Sequence, residues 1–395
     1  MDKRIVFLSY YFEPDLCAGS FRNTSLLNEL KHQIDDNTKI DVYTTLPNRY
    51  DTFKSEAKEL EIHDKIRIFR ISTPVHDNGM FGQMKAFKKY FKEVLSSNKD
   101  ETCDLVYASS SRLFTAFLGA ILANKKNAFL YLDIRDIFKE TILDTLKIKS
   151  LSGILSLIIS LIEKYTFRRA NHINLISPGF QEYFNKYAIK RFSYYTNGID
   201  EIFLHNRVKS MRKKTKGIFE IVYAGNIGWS QGLHKVIPQA AKKLGDGYIF
   251  KIIGDGGAKP ELLLEIEELK INNVKLFNPI KREELKNTYA HSDCMLIHLE
   301  NKSAFEKVIP SKVFELSTYD KPIVAGVSGF PKIFIETNLS TTFTFQPCSS
   351  DGLVQSILKA QKNINAINRE EFIKTFSRKN INENMAESIL NSLVI

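Results

Sequence analysis

The sequence predicts an α/β fold built from two doubly wound parallel-sheet domains in tandem. Short β-rich runs alternate with helical stretches along the 395 residues, which is typical of parallel sheets covered by helices on both faces. A chain of this length also exceeds what one hydrophobic core usually supports. The alternation stops at a basic stretch near residue 210 and then starts again, so we predict one domain on each side of that stretch.

The first predicted domain covers residues 1–203. After its first strand, Leu26, Leu27 and Leu30 recur at helical spacing. The first apolar run has only nine residues and lacks a cleavage site, so it is interpreted as a buried strand rather than a secretory signal. The β-rich runs are RIVFLSYYF, KIDVYTTL, IRIFRIS, CDLVYASS, AFLYLDIRD and HINLIS.

Residues 204–217 are predicted to form a linker, because they lack apolar periodicity and are strongly basic. Residues 218–375 form the second predicted domain, and residues 376–395 are predicted to form a terminal helix that packs back on the first. The β-rich runs of the second domain are FEIVYAGN, YIFKIIGDG, VKLFNPI, CMLIHL and PIVAG.

The bulk composition limits the class of partner. The net charge is +11, and a basic surplus is typical of proteins that bind nucleic acid, anionic lipid or phosphorylated substrates. No helix-turn-helix, zinc-finger or RNA-binding pattern is present, so no nucleic acid partner is expected. The four cysteines are far apart with no C-x-x-C pair, which argues against a metal site and fits a reducing compartment. We therefore expect a cytoplasmic protein.

Two glycine loops in the second half each follow a predicted strand. They are YAGNIGWSQGL, residues 223–233, and IIGDGGAKPEL, residues 252–262. Glycine lets the backbone approach a ligand closely, and a helix start offers free N–H groups to an anion. An ordinary glycine-rich turn explains either loop alone equally well. The candidate ligand-binding residues are Asn226, Gln231, Gly254, Asp255 and Gly256.

The stretch VIPSKVFEL places a lysine and a glutamate three residues apart at a predicted helix start. Pro310 and Ser311 favour a helix that begins near them. Lys312 then lies in the first turn, where the helix dipole disfavours a cation and an anionic ligand would offset it. Glu315 lies one turn later on the same face, so both can contact one ligand. A solvated ion pair is the alternative.

Two stretches of the first domain place polar residues at strand ends. YLDIRDIFKET puts Asp133, Arg135 and Asp136 after an apolar strand, and YYFEPDLCAGSFRN puts Gly19 and Ser20 before the first helix. Residues at the carboxyl ends of parallel strands lie where open α/β sheets bind ligands. A structural salt bridge is the alternative for the charged group.

Taken in this order, the motifs resemble the family 4 glycosyltransferases of the GT-B fold over nearly the whole chain. The resemblance is strongest to the branch that builds bacterial O-antigens and capsules, including the N-acetyl-fucosamine transferases. It implies two Rossmann-like domains facing across a cleft, and retaining transfer from a nucleotide-sugar, a UDP-sugar above all. It further implies a lipid-linked or saccharide acceptor, no metal, no cofactor, and a peripheral position on the cytoplasmic face of the inner membrane.

The resemblance also implies roles for the candidate residues. Lys312, Asn226 and the backbone around Gly19 would bind the diphosphate, and Glu315 would accept hydrogen bonds from the ribose. Backbone groups near Ile280 would contact the base. The catalytic candidates are Lys312, Asp136 and Arg135.

The sequence departs from the family pattern at three places. Asn226 and Gln231 stand where the family carries an arginine and a lysine. Lys307 stands where the first glutamate of the E-x7-E motif is expected, and Arg135 replaces a histidine. These departures give Lys312 a larger part, since it can supply the positive charge that the first loop lacks.

Residues 80–95, MFGQMKAFKKYFKEVL, predict a basic amphipathic helix. Such a helix can lie on an anionic lipid surface, although a core-facing helix with a solvated lysine face is the alternative. One predicted face carries Lys85, Lys88, Lys89 and Lys92, and the other carries Met84, Phe87, Tyr90, Phe91 and Val94. The apolar run at residues 151–162 is a second candidate surface, but it is interpreted mainly as core; its twelve residues cannot span a bilayer, which needs about 20.

Two other functions fit the same architecture. A nucleotide-sugar epimerase would be expected to group carboxylates with a histidine, and the eight histidines show no such grouping. A nucleotide-sugar-binding module without catalysis would explain the missing arginine and lysine. A dehydrogenase is not expected, because no G-x-G-x-x-G follows the first strand.

Overall fold

The structure, a computed structural model, describes most of the chain, and its contacts divide the chain into two compact units. Unit 1 comprises Met1–Asn197 with Arg378–Ile395, and unit 2 comprises Gly198–Ser377. The sequence-based boundaries were residues 203 and 375. Most of the predicted linker, residues 205–216, lies outside the described residues. Those described are 2–15, 17–48, 56–74, 80–110, 113–137, 139, 152–189, 191–204, 217–363 and 367–393.

Unit 1 contains an eight-stranded sheet in the order β3-β4-β2-β1-β5-β6-β7-β8. Only the pairing of β3 with β4 is antiparallel among these described strands. The sequence did not predict β3, which is short, exposed and at the edge of the sheet. The strands are β1 Lys3–Ser9, β2 Thr38–Thr45, β3 Leu60–His63, β4 Ile66–Ile71, β5 Leu105–Ser110, β6 Phe129–Ile134, β7 His172–Leu175 and β8 Phe192–Ser193.

The central strands of unit 1 form because their apolar side chains are buried on both faces. Ile5 and Phe7 of β1 are fully buried and pack with Tyr107 of β5 and Tyr131 of β6. A continuous apolar strand of this kind is typical of a parallel sheet covered on both sides. The covering helices described here are α1 Ala18–Gln33, α2 Met80–Ser97, α3 Leu113–Lys126, α4 Ser152–Arg169 and α5 Gln181–Phe184.

A buried ion pair fastens α1 to the sheet. The Arg22 guanidinium donates to both carboxylate oxygens of Asp133, at 2.9 Å each, and to the carbonyl oxygens of Tyr195 and Thr196 at 2.7 Å. Asn174 donates to the same carboxylate at 2.8 Å. Burial alone would raise the pKa of Asp133, but the Arg22 charge and these hydrogen bonds hold that pKa below its ordinary value. Asp133 is therefore structural.

Unit 2 contains a six-stranded parallel sheet in the order β11-β10-β9-β12-β13-β14. The strands are β9 Phe219–Ala224, β10 Tyr248–Ile253, β11 Val274–Phe277, β12 Cys294–His298, β13 Ile323–Gly326 and β14 Thr342–Phe345. The helices are α6 Glu201–Leu204, α7 Ile237–Leu244, α8 Lys259–Glu268, α9 Arg282–His291, α10 Lys312–Leu316, α11 Phe330–Asn338, α12 Ser350–Lys362 and α13 Glu370–Thr375.

The strand order of unit 2 reverses between β9 and β12. The chain builds outward from β9 through β10 to β11, and then returns to add β12 on the other side. The loops after β9 and β12 therefore diverge from neighbouring strand ends. Open α/β sheets bind their ligands at such a switch point.

The last helix, α14 Arg378–Asn391, belongs to unit 1. Met385, Ala386 and Ile389 of α14 join the core cluster that contains Leu26 and Leu30 of α1. The apolar face of α1 that the sequence predicted is thus buried beneath the C-terminal helix.

Two predictions about helix faces are wrong. Leu157, Ile158 and Leu161, from the apolar run interpreted as core, are 62%, 48% and 58% exposed on α4. Met84, placed on the buried face of α2, is 58% exposed. The four predicted lysines of α2 are exposed and Tyr90 and Val94 are buried, as the pattern indicated. Within the described ranges, no helix has the length and apolarity needed to cross a bilayer.

Substitution of Asp133 by alanine should destabilise unit 1 by about 3–5 kcal/mol, because it leaves the Arg22 guanidinium buried without its carboxylate. Hydrogen exchange of the β1 and β6 amides, read by mass spectrometry, measures this. Asp351→Ala is the control: its carboxylate pairs with Lys243 but is 80% exposed, so the expected cost is below about 1 kcal/mol. Equal effects of the two substitutions would contradict the anchoring role.

Candidate functional site

Two loops of unit 2, after the neighbouring strands β9 and β10, pack edge to edge beside the switch point. Residues 225–232 follow β9, and residues 254–258 follow β10. The amide of Gly225 donates to the carbonyl of Ile253 at 2.9 Å, and the amide of Ile227 donates to the carbonyl of Asp255 at 2.8 Å. The strand pairing thus continues into the loops and fixes both backbones.

Glycine is required at the point where the loops touch. Gly254 has φ +151°, and a Cβ atom there would overlap the carbonyl oxygen of Gly225. Gly256 has φ +153°, and a Cβ there would lie 2.6 Å from both the Asn226 side-chain oxygen and the Ile227 carbonyl oxygen. The glycines that the sequence suggested for ligand contact therefore have a packing role as well.

The positions where a phosphate-binding arginine and lysine were expected carry a neutral pair. Asn226 donates from Nδ2 to the Gln231 side-chain oxygen at 2.9 Å, near the surface. The Asp255 carboxylate is exposed; it accepts from the Gly256 amide at 2.9 Å and lies 3.8 Å from the Lys259 ammonium. Lys259 is thus a cation in contact with the loop after β10.

Lys312 lies over the end of β9. It is the first residue of α10, after Ser311, which is exposed, and Pro310, which is buried. Its Cε lies 3.4 Å from the position that a Cβ on Gly225 would take. Its ammonium donates to both carboxylate oxygens of Glu315 at 3.0 Å. The side chains of the pair are 28% and 17% exposed, so the pair is accessible but not fully solvated.

The phenol of Tyr289 lies beside the Lys312–Glu315 pair. No sequence motif marks this tyrosine. Its hydroxyl lies 3.4 Å from the Lys312 ammonium, and its side chain is 1% exposed. Burial, and then the nearby Glu315 charge, raise the pKa of Tyr289 well above its ordinary value. The phenol therefore stays protonated beside both charges. Tyr289 lies in the last turn of α9, with no glycine nearby to mark it.

Trp229, in the loop after β9, is an exposed aromatic side chain that lies against the loop after β10. It is 56% exposed, and its indole nitrogen lies 3.6 Å from the position that a Cβ on Gly257 would take. The chain contains one tryptophan, so its fluorescence reports on this site alone. The sequence reasoning did not select it.

A buried histidine positions the loop after β9. His298, at the end of β12, donates from Nδ1 to the Gln231 carbonyl at 2.5 Å and accepts at Nε2 from the Cys348 amide at 2.9 Å. Both ring nitrogens are therefore engaged in the neutral form. The Glu300 amide donates to the Ser230 carbonyl at 2.9 Å, which ties the same loop a second time.

Two more of the positions named from the sequence lie in loops of unit 2. Ile280 lies in the short loop between β11 and α9, where it is half-buried and packs on the core of unit 2. Lys307, which stands at the expected first glutamate, is half-buried and follows the single-turn helix at residues 303–306.

The predicted residues of unit 1 come together at the start of α1. Gly19 and Ser20 lie in the first turn of α1 and are buried. The Arg135 guanidinium lies directly over Gly19, where any Cβ would collide with it. Asp136 is exposed beside it.

This arrangement leaves polar groups without partners. Among the described residues, the buried Nε of Arg135 and the hydroxyl oxygen of Ser20 have no hydrogen-bond partner. Arg135 is also a cation at a helix N-terminus, where the macrodipole disfavours it. An anion at this position would satisfy the guanidinium, the hydroxyl and the first helical N–H groups together.

The described part of the chain contains no cluster of three or more His, Cys, Asp or Glu side chains arranged to hold a metal ion. Each unit thus offers cations and backbone amides, and unit 2 adds the Glu315 carboxylate beside Lys312. Such groups suit a phosphorylated ligand that also carries hydroxyls.

Part of the chain is similar to known glycosyl transferases. Residues 206–378 match the family described as "Glycosyl transferases group 1". A putative colanic acid biosynthesis glycosyl transferase, WcaI, of Escherichia coli K12 is 27% identical over 165 residues. That alignment spans 41% of this chain and 40% of the relative.

Solved structures match nearly the whole chain. Sucrose-phosphate synthase of Thermosynechococcus elongatus has a TM-score of 0.73 at 12% identity, with 98% of both chains covered. HepE of Anabaena, solved in complex with UDP, has a TM-score of 0.67 at 16% identity, with 98% of this chain and 100% of that chain covered. The chain has the GT-B fold.

The stability of unit 2 should fall as the pH drops from 7 to 5. Burial lowers the pKa of His298 from 6.5 to about 4, so the unfolded chain binds a proton in this range that the folded chain does not. The expected loss is about 2 kcal/mol between these pH values. Hydrogen exchange of the β12 and β13 amides measures it.

His298→Gln should flatten this pH dependence and loosen the loop that carries Gln231. His291→Gln, at an exposed histidine of the same unit, should leave the slope unchanged. An unchanged slope in His298→Gln would contradict the assignment of His298 as a buried neutral group.

Proposed function

We propose that the protein is a glycosyltransferase that moves a sugar from a UDP-sugar to a lipid-linked or saccharide acceptor in bacterial surface polysaccharide synthesis. The observation that carries the proposal is the Lys312–Glu315 pair, which lies over Gly225 at the switch point of unit 2. The match of this unit to the group 1 glycosyl transferases supports the proposal.

The donor would exchange the contact between Lys312 and Glu315 for two contacts of its own. The Lys312 ammonium would bind the diphosphate, and the Glu315 carboxylate would accept hydrogen bonds from the ribose hydroxyls. Each charge already has its partner at 3.0 Å before the donor arrives. The site therefore keeps both side chains oriented without leaving either charge unpaired.

Catalysis would follow from charge that develops on the leaving diphosphate. A fixed ammonium interacts more strongly with the phosphate oxygen as the sugar–phosphate bond breaks, which lowers the barrier relative to the ground state. Asn226 would add a neutral donor from the adjoining loop, and Gln231 would orient it through their 2.9 Å hydrogen bond. Gly254, Asp255 and Gly256 would bring backbone close to the same ligand.

The Arg135 group of unit 1 would supply a cationic contact of its own. The guanidinium over Gly19, the Ser20 hydroxyl and the start of α1 suit a phosphate oxygen or an acidic sugar group. Asp136 would position a sugar hydroxyl beside it. In this proposal Lys312 neutralises charge on the diphosphate without a metal, Arg135 positions a sugar, and transfer proceeds with retention on the face from which the phosphate leaves.

The pathway assignment rests on relatives. The relative from Escherichia coli is named for colanic acid biosynthesis, and the Anabaena structure is named as a complex with UDP. By these likenesses the acceptor would be a lipid-linked saccharide and the enzyme would lie at the cytoplasmic face of the inner membrane, with the lysines of α2 on anionic lipid.

A binding module without transferase activity is the second candidate, because the neutral Asn226–Gln231 pair stands where the family carries two cations. Purified protein with a UDP-sugar separates the two candidates. A transferase releases UDP slowly by hydrolysis and faster with acceptor, whereas a module binds the nucleotide and leaves it intact. An epimerase would convert the sugar without release of UDP.

Lys312→Met should lower the transfer rate about a hundredfold, since it removes a fixed charge that acts on the leaving phosphate. Glu315→Gln should weaken UDP binding about tenfold through the loss of charged acceptors for the ribose. Trp229 fluorescence measures binding, UDP release measures the rate, and a thermal-shift comparison of UDP with GDP, CMP and ADP identifies the base.

Lys286→Met is the matched control for Lys312→Met. Lys286 forms another i,i+3 pair with a glutamate in unit 2, at 2.9 Å from Glu283. If the two methionine variants have the same turnover, the Lys312–Glu315 pair is a solvated ion pair and the proposal for it fails.

Arg135→Leu should lower turnover about a hundredfold while UDP binding by unit 2 changes little. Arg191→Leu, at an exposed arginine of unit 1, is the control. A measurement of kcat and KM for the donor separates the two effects. A variant with normal turnover and a lower melting temperature would show that Arg135 serves only the packing of α1.

A further inference from the structure

Three helices form a continuous layer on unit 1, here called the α2–α4 face. Aromatic rings join them in sequence. The ring centroids of Phe87 in α2 and Phe114 in α3 are 5.7 Å apart, and those of Phe91 and Phe117 are 6.4 Å apart. Phe117 in turn contacts Tyr165 of α4 at 5.7 Å. The outer surfaces of α2 and α4 therefore lie on either side of α3.

The outer surface of α4 is apolar. Leu157, Ile158, Leu161 and Tyr165 are 62%, 48%, 58% and 42% exposed. At about 100° per residue these four positions fall within one third of the helix circumference. Single exposed apolar side chains are common, but four large ones on adjacent turns mark an interaction surface.

The charged side chains around this apolar surface are basic. Lys164 and Arg168 are exposed on α4, and at about 100° per residue they fall beside Leu157 and Leu161. The four exposed lysines of α2 lie beyond α3. Met84 falls between Phe91 and Lys88 on the α2 wheel, so its exposure extends the apolar surface toward the lysines.

The carboxylate of α4 is turned away from this surface. Glu163 is 1% exposed and accepts hydrogen bonds from Tyr183 at 2.7 Å and Tyr187 at 3.0 Å. The other carboxylate on these three helices, Glu93, is exposed on α2 and lines a groove of about 350 Å³ beside Lys89, Leu60 and Arg70. The described residues of α4 thus carry exposed cations and no exposed carboxylate, and on α2 four exposed lysines stand against the single Glu93.

We propose that the α2–α4 face docks on an anionic bilayer, with the apolar side chains of α4 inserted among the lipid headgroups and the lysines of α2 on lipid phosphates. Apolar centre, tyrosine border and basic flank are the features of a helix that lies in the membrane interface. The signs of the exposed charges favour anionic lipid over a protein partner. The inference rests on the proposed function, because a lipid-linked acceptor would place the enzyme at a membrane.

Cosedimentation of the full chain with vesicles tests the docking surface. The wild type should bind phosphatidylglycerol vesicles and not phosphatidylcholine vesicles. Leu157→Ser with Leu161→Ser should weaken that binding about tenfold at any salt concentration, because less apolar surface is inserted. Replacement of Lys85, Lys88, Lys89 and Lys92 by glutamine should weaken it at low salt, with little difference from the wild type at about 0.5 M salt.

Ile62→Ser with Ile333→Ser is the matched control. These isoleucines are 64% and 60% exposed and lie outside the α2–α4 face, so binding should not change. Because all the substituted side chains are exposed, melting temperatures should stay close to that of the wild type. Binding by the Leu157/Leu161 variant equal to that of the control would overturn insertion of α4.

Two further outcomes would overturn the proposal. A wild-type dimer that the serine substitutions dissociate would assign the face to a second copy of the chain. A wild type that ignores both kinds of vesicle, yet is stabilised by UDP, would reject the docking surface and leave the transferase proposal intact. Vesicle binding without any response to a nucleotide would support the docking surface and count against the transferase.

Discussion

The buried contact between Arg22 and Asp133 is the interaction on which unit 1 depends. A guanidinium and a carboxylate that are almost completely buried are stable only if their other hydrogen-bonding groups are satisfied. That requirement fixes β6 through Asp133, β7 through Asn174, the backbone at Tyr195, and α1 through Arg22 itself. Because α1 is fixed from its first turns, Gly19 and Ser20 face Arg135 in one defined geometry. The structural pair and the candidate anion site are two consequences of the same placement.

In unit 2, close backbone packing fixes the positions of the loops after β9 and β10. The loops after β9 and β10 touch at Gly225 and Gly254, where no side chain fits. His298 then fixes the far side of the first loop through the Gln231 carbonyl. A loop so constrained loses little conformational entropy when it contacts a ligand, which suits a site that must position a diphosphate.

The sequence predicted most of the strands, though not the short β3, β8 and β14, because buried strands depend on local features. Buried parallel strands appear as apolar runs, and loops at their carboxyl ends appear as glycine or proline. The contacts of Tyr289, His298 and Arg22 were not predictable, because each joins residues that are far apart along the chain. The faces of α4 and α2 were misjudged for another reason. The apolar run at residues 151–162 contains serines but no charged position to show which side meets the core, and Met84 is equally compatible with either side of a basic wheel.

The proposed function requires a site with a neutral Asn226–Gln231 pair to bind a diphosphate. Removal of two cations from the first loop would leave the ligand's charge poorly compensated unless another cation lies within about a Debye length, and preferably in direct contact. Lys312 is placed for direct contact in unit 2, since it lies against Gly225 at the start of that loop. Its pairing with Glu315 keeps the ammonium oriented, and the buried Tyr289 phenol stays neutral beside it. Under the proposed function, Glu315 would first hold the lysine and then receive the ribose hydroxyls, so one carboxylate would serve orientation and recognition in turn.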